Sequence, residues 1–154
     1  MRRTQRLDFS TRFCYNICMD AKEKEMLTAL INDESIRAPL ELYFFRNGLP
    51  LEFAGFRNFT DCVILYASGC IGKFGDIYAV AGELRGEKSK TVAKPIENIL
   101  NRHAYVKRAL ADISGTPYKR RLIPIEIVPA TAKRMIELGI LPADLPERCK
   151  PQAE

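Results

Sequence analysis

Apolar and polar side chains alternate strictly in the segment from Arg12 to Asp20, near the start of the chain. The apolar positions of this segment are Phe13, Tyr15, Ile17 and Met19. Period-two alternation over eight residues predicts a strand with one apolar face. The alternation stops at Asp20, so the predicted strand is a short one.

The pattern changes to helical spacing directly after this strand. Asp20 is a suitable N-cap, and Glu23 three residues later completes a pattern similar to a capping box. We therefore predict a helix over Ala21 to Asn32. After a short turn a second helix is predicted over Ile36 to Arg46, with Pro39 in its first turn. The Asn-Gly pair that follows is a credible stop for this helix.

The rest of the chain predicts further helices and a second short strand. The segment Gly48 to Asn58 is the preferred internal boundary. We predict helices over about Asn58 to Tyr66, Val92 to Ile113 and Ala130 to Leu138, and a strand over Leu122 to Val128. Asn58 or Thr60 can cap the first of these helices, and its continuation to Arg85 is left open because four glycines interrupt it. The proline-rich C-terminal residues are expected to be extended.

These elements predict a fold that is mainly α with short strands. We divide it into a strand-helix-helix segment over residues 1–48 and an α-rich accessory or oligomerisation domain over residues 49–154. The chain has 154 residues, of which 47% are hydrophobic and 28% charged, an ordinary composition for a globular protein. No apolar run approaches the ~20 residues that span a bilayer, and no signal peptide is evident. We expect a cytoplasmic protein without a membrane contact.

Candidate chemistry is sparse. The five cysteines have irregular spacing, and His103 is the single histidine, so neither a disulfide framework nor a zinc site is predicted. No nucleophile motif surrounds a serine or cysteine. Asp61 and Asp76 have no evident catalytic partner and are interpreted as solvated surface carboxylates. We therefore expect no enzyme activity, no catalytic residue, no metal and no cofactor.

Positive charge is concentrated at two places in a chain whose net charge is +5. The first dozen residues contain Arg2, Arg3, Arg6 and Arg12 against Asp8 alone. A second basic group, Lys119 to Arg121, follows a predicted turn at Gly115 to Pro117. This distribution suits a polyanionic partner. The second group allows two interpretations, a solvated turn or a second contact to a DNA backbone.

The strand, the tight N-cap and the two short helices of residues 12–48 together resemble the ribbon-helix-helix family of DNA-binding proteins. In that family two chains pair their strands into an antiparallel ribbon, which enters the major groove above a four-helix dimer core. The resemblance implies a homodimer or higher oligomer that binds double-stranded DNA. It covers about a quarter of the chain.

The family's roles can be carried onto individual residues of this chain. The groove-facing positions are Cys14, Asn16 and Cys18, and Arg12 flanks them. Asn16 is the expected direct reader, since an amide pairs well with adenine. The start of the second helix, Ser35 to Arg37, is expected to clamp a phosphate. The clustered positive charge adds the N-terminal Arg2, Arg3 and Arg6 to the DNA-binding set.

The likeness extends to regulators that conjugative plasmids carry. Such proteins add an extension for oligomerisation or for recruiting the transcription machinery. The chain is similar to plasmid-borne activators of transfer genes. What this implies is a sequence-specific transcription regulator whose partners include RNA polymerase.

Two further interpretations, besides the ribbon-helix-helix regulator, remain open. The segment Ile71 to Ile77 resembles the Gly-x-x-Gly core of KH RNA-binding modules, with Lys73 between Gly72 and Gly75. The same glycines also suit close helix packing or a tight turn. The third interpretation is a protein-interaction or inhibitor protein with no role in nucleic-acid binding.

Overall fold

The computed structural model describes residues 19–70, 76–122 and 124–148, and within these ranges it contains eight helices and no strand. In chain order the helices are α1 (Ala21–Ile31), α2 (Glu34–Arg46), α3 (Ala54–Ala67), α4 (Ile77–Arg85), α5 (Ser89–Arg102), α6 (Ala104–Ser114), α7 (Pro124–Glu137) and α8 (Leu145–Arg148). None of them is both long enough and apolar enough to cross a bilayer. The expectation of a mainly α fold is confirmed.

Helix α3 is the centre of the structure. It packs against α1, α2, α4, α5 and α7, and one apolar core extends from Leu27 to Leu145 around it. The ring of Phe44 on α2 lies 5.8 Å from that of Phe59 on α3, and Phe56 meets Phe59 edge-on at 6.3 Å. The division of the chain at residue 48 stays a prediction, although α1 and α2 share this core with the helices that follow.

The predicted start of α1 is confirmed. The backbone amide of Glu23 donates to Oδ1 of Asp20 at 2.8 Å, and the amide of Asp20 donates to Oε1 of Glu23 at 3.1 Å. The two residues thus form a reciprocal capping box. The helix ends at Ile31, one residue earlier than predicted.

The second helix begins at Glu34 instead of Ile36, because the carboxylate of Asp33 caps it by accepting from the amide of Ser35. This earlier start moves Pro39 out of the first turn, where it was predicted. Pro39 lies in the second turn on the exposed side, where its missing amide hydrogen leaves the carbonyl of Ser35 without the usual helical bond.

The third helix also begins earlier than predicted. It starts at Ala54, and neither Asn58 nor Thr60 caps it. Both side chains are buried inside the helix instead. The hydroxyl of Thr60 donates to the carbonyl of Phe56 at 2.7 Å, and the amide of Asn58 donates to the carbonyl of Val92 at 3.3 Å. Polar residues that suit a cap can therefore serve in the middle of a helix when a carbonyl of the same helix or of a packed neighbour accepts their hydrogen bond.

The single helix predicted over residues 92–113 is two helices. His103 is extended, with φ −132° and ψ 141°, and separates α5 from α6. The change of direction lets both helices bury apolar faces, with Ile96 and Leu100 on α5 and Val106 and Leu110 on α6. Periodicity alone did not reveal the break, because the apolar spacing is similar on either side of it.

The strand predicted over Leu122 to Val128 is wrong. Most of this segment belongs to α7, with Pro124 at the first helical position, where its ring suits the backbone. The buried residues Ile127, Val128, Thr131, Ala132 and Met135 follow helical spacing. Packing of this face on α3 and α6 overrides the β preference of branched residues. The C-terminal tail also differs from prediction, since Leu145 begins a short helix and is buried.

Two predictions fall outside the described residues. The N-terminal strand lies there except for Met19 and Asp20, and so does the KH-like segment from Ile71 to Gly75. Both therefore stay predictions.

The contact between α3 and α5 depends on the absence of a side chain at Gly55. A Cβ atom at this position would lie 2.5 Å from the carbonyl oxygen of Pro95 and 2.6 Å from Cγ1 of Ile99. Neither neighbour can yield easily, since one is backbone and the other is packed in the core.

We expect Gly55→Ala to destabilise the protein by about 1–3 kcal/mol, because the added methyl group overpacks this contact. The free energy of unfolding in urea measures the effect. The sign is diagnostic, since the same change at an open helical position stabilises by up to about 1 kcal/mol. A gain in stability would show that α3 and α5 are farther apart.

Cys62 lies fully buried on α3. Burial raises the pKa of its thiol well above the ordinary value of 9.0, and the nearby carboxylate of Asp61 adds to the increase. The thiol thus remains protonated in the folded protein at pH values that ionise it in the unfolded chain.

Because only the unfolded state loses this proton, we expect stability to fall as the pH rises above about 9, with a slope of up to about 1.4 kcal/mol per pH unit from this thiol. Replacing Cys62 by Ala should make the slope shallower, whatever it does to stability at neutral pH. Denaturant unfolding between about pH 8 and 11 measures both slopes. Identical slopes in the two proteins would contradict the assignment.

Candidate nucleic-acid interface

Most of the predicted DNA-binding residues lie outside the described part of the chain. These residues are Arg2, Arg3, Arg6, Arg12, Cys14, Asn16 and Cys18. The structure describes two of the predicted set, Ser35 and Arg37, which lie close together at the start of α2.

Ser35 directs its donors to a neighbouring carboxylate. Its backbone amide and its hydroxyl both donate to Oδ1 of Asp33, at 2.9 and 2.7 Å. These are the groups expected to clamp a phosphate, so a phosphate here must compete with an acceptor of the same charge. The phosphate clamp stays a prediction.

Arg37 is turned into the protein. Its Nη1 atom donates to the carbonyl of Ile31 at 2.8 Å and to Oδ1 of Asp61 at 2.7 Å. Its Nε atom donates to Oε2 of Glu41 at 2.9 Å, and Nη2 donates to the carbonyl of Arg57 at 3.2 Å. The guanidinium therefore connects α1, α2 and α3, and it is used structurally in this conformation.

Asp61 joins a second arginine to this group. Arg85 on α4 donates from Nε to Oδ2 and from Nη2 to Oδ1 of Asp61, each at 3.0 Å, and from Nη1 to Oδ1 of Asn32 at 3.1 Å. The paired bonds with Asp61 raise the pKa of Arg85 and outweigh the opposing effect of burial. We call Arg37, Asp61 and Arg85 the buried ion cluster.

The interpretation of Asp61 as a solvated surface carboxylate is wrong, because its exposed fraction is 1%. Asp76 is exposed, and its carboxylate caps α4 by accepting from the amides of Tyr78 and Ala79. A signal for the burial of Asp61 exists in the sequence, since the apolar run Cys62 to Leu65 follows it directly. The partners could not be identified, because each arginine is 24 residues away.

The apolar faces of α1 and α2 are covered within one chain. Leu27, Leu30 and Ile31 of α1 are buried, and so are Ile36, Leu40 and Phe44 of α2. The resemblance assigns these helices to a dimer core, so in this conformation a partner chain must use another surface. Leu42 and Phe45 on the outer side of α2 are 47% and 64% exposed.

The described residues contain no group of three or more His, Cys, Asp or Glu side chains placed to hold a metal ion. Comparison of the chain with protein-family models, with curated proteins and with solved structures finds no match in any of the three.

The buried ion cluster predicts strong coupling between Arg37 and Asp61. We expect Asp61→Leu to cost about 3–5 kcal/mol of unfolding free energy, because it leaves a guanidinium buried without its carboxylate. The double variant with Arg37→Met should cost less than the sum of the two single changes, by about 0.5–3 kcal/mol.

Urea unfolding of the four proteins in this cycle measures the coupling. Glu41→Ala is the matched control, because its ion pair with Arg37 is partly exposed and should contribute less than about 1 kcal/mol. Strictly additive effects of the Arg37 and Asp61 changes would contradict the cluster.

Proposed function

We propose that the protein is a sequence-specific DNA-binding transcription regulator that binds double-stranded DNA through its N-terminal segment. The observation that carries the proposal is the position of Met19. Met19 is the last apolar residue of the predicted strand, and it packs partly buried against the helical core immediately before the capping box.

In a strand whose apolar face is directed to the helices, the alternate residues lie on the opposite face and are available to contact DNA. The alternate set is Cys14, Asn16 and Cys18, as in the family resemblance. Asn16 is the direct reader of this set, because its amide can both donate to and accept from an adenine edge. Arg12 and the arginines at positions 2, 3 and 6 supply contacts to phosphates.

The described fold supports this role by giving the segment a rigid base. The capping box fixes the first turn of α1, and the buried ion cluster holds the end of the same helix to α2, α3 and α4. A reading segment attached to such a base is held in a defined orientation. Ser35 and Arg37 are not needed for the proposal, since both donate within the chain.

The proposal includes a homodimer, because a lone strand needs a second strand to satisfy its backbone groups. Leu42 and Phe45 are consistent with self-association. They lie three residues apart on the exposed side of α2, where a partner would cover apolar surface. The activation of plasmid transfer genes is the specific form of regulation that the sequence resemblance suggests.

Selection of bound sequences from a pool of random DNA duplexes tests the proposal. We expect the wild-type protein to enrich one motif and the double variant Arg12→Ala with Asn16→Ala to enrich none. Loss of a base contact should weaken binding to the enriched motif by about 1–3 kcal/mol.

Lys94→Ala with Asn98→Ala is the matched control, because it removes one cation and one amide from exposed positions on α5. This control should enrich the wild-type motif. A wild-type protein that enriches nothing, or an N-terminal variant that retains the wild-type motif and affinity, would contradict the proposal.

A further inference from the structure

The positive charge of the chain has a second centre that the proposed reading segment does not use. Residues 103–121 contain five Lys and Arg residues against one Asp, and residues 1–12 contain four Arg against one Asp. All other residues together contain 15 basic and 17 acidic side chains. The excess of positive charge therefore comes from these two segments alone.

The fold brings the basic residues of α6 into contact with the basic loop that follows this helix. The ammonium group of Lys107 on α6 donates to the carbonyl of Arg120, which ties the loop between α6 and α7 to the helix. The guanidinium carbon of Arg108 lies 4.5 Å from the ring centroid of Tyr118 in the same loop, in a cation–π contact. We call Arg108, Tyr118 and Lys119 to Arg121 the loop surface.

The cations of the loop surface differ in whether a carboxylate pairs with them. Lys119 forms an exposed ion pair with Glu126 at 3.2 Å. Arg108, Arg120 and Arg121 are exposed, and no carboxylate within the described part of the chain pairs with them. Three exposed guanidinium groups thus belong to α6 and the loop that follows it, and one of them is supported by an aromatic ring.

Neighbouring groups extend the same surface. The rings of His103 and Tyr105 at the start of α6 are stacked, with centroids 5.3 Å apart. Tyr105 is 57% exposed and Tyr118 43% exposed. The guanidinium of Arg134 on α7 lies beside Gly115, where a Cβ atom would be 3.5 Å from its Nη1 atom. Exposed arginines among exposed tyrosines are typical of surfaces that bind nucleic-acid backbones.

We propose that the loop surface is a second DNA contact, which binds the phosphodiester backbone of duplex DNA without reading bases. Guanidinium groups match phosphate oxygens in geometry and charge. The ring of Tyr118 holds Arg108 in place, so less freedom is lost when a phosphate binds. The inference rests on the proposed function only in its choice of DNA, because the observations that carry it are independent of the N-terminal segment.

The salt dependence of binding to a short random-sequence duplex tests this proposal. The triple variant Arg108→Ala, Arg120→Ala, Arg121→Ala is compared with Lys88→Ala, Lys90→Ala, Lys94→Ala, which removes three exposed cations from the α4–α5 turn and α5. We expect the slope of log K against log salt to fall by about 0.9 for each lost phosphate contact, and the affinity to fall by about tenfold or more. The control should keep the wild-type slope.

Thermal unfolding of both variants establishes that each is folded. A loop-surface variant with the wild-type affinity and slope overturns the proposal, and so does a control that loses as much. The same measurement with a single strand of equal length separates the two forms of DNA. A loss confined to the single strand overturns the assignment to duplex DNA.

The two proposals fail separately. Suppose that the selection experiment enriches no motif while the loop-surface variant loses affinity for random duplex. The proposal of sequence reading by the N-terminal segment is then wrong, and the proposal of a DNA contact at the loop surface is retained. If a motif is enriched and the loop-surface variant binds random duplex like the wild type, only the loop surface is wrong.

Discussion

The buried carboxylate of Asp61 is the constraint on which the helical arrangement depends. A charge with an exposed fraction of 1% must be compensated, and here two arginines from different helices do so. Their remaining donors bond to the end of α1, to α2 and to the start of α3. Four helices therefore meet at one carboxylate. Any large shift of α1 and α2 away from α3 would expose or unpair these charges, so apolar contacts and ion pairs favour the same arrangement.

This arrangement bears on the proposed binding of DNA. It fixes α1 and α2 to α3 and α4 and buries the apolar faces of α1 and α2. These faces are therefore not available to a partner chain in this conformation. Met19, the first described residue, packs partly buried against this core. We propose that the N-terminal segment supplies sequence preference and that the loop surface supplies affinity that does not depend on sequence. Such a division is common among proteins that bind DNA.

Local signals were sufficient for part of the fold. Asp20 and Glu23 predicted the start of α1 because a capping box involves residues close in sequence. The strand predicted over Leu122 to Val128 is wrong because branched apolar residues suit both a strand and a buried helix face. Packing on α3 decides between the two. The resemblance predicts a phosphate contact for Arg37, whereas in the structure its guanidinium bonds to Asp61, Glu41 and two backbone carbonyls. No pattern in the sequence identifies the pair of Arg37 and Asp61, because their contact exists only once α2 and α3 have packed.

Sedimentation equilibrium of the protein, with and without a short random-sequence duplex, measures the assembly state and the DNA binding on which the proposed function depends. Strand pairing through the N-terminal segment requires two chains, so we expect a species of twice the chain mass of 17.5 kDa that shifts to a protein–DNA complex at low salt. A species that keeps the mass of one chain at every protein concentration and does not bind the duplex would contradict the proposed function.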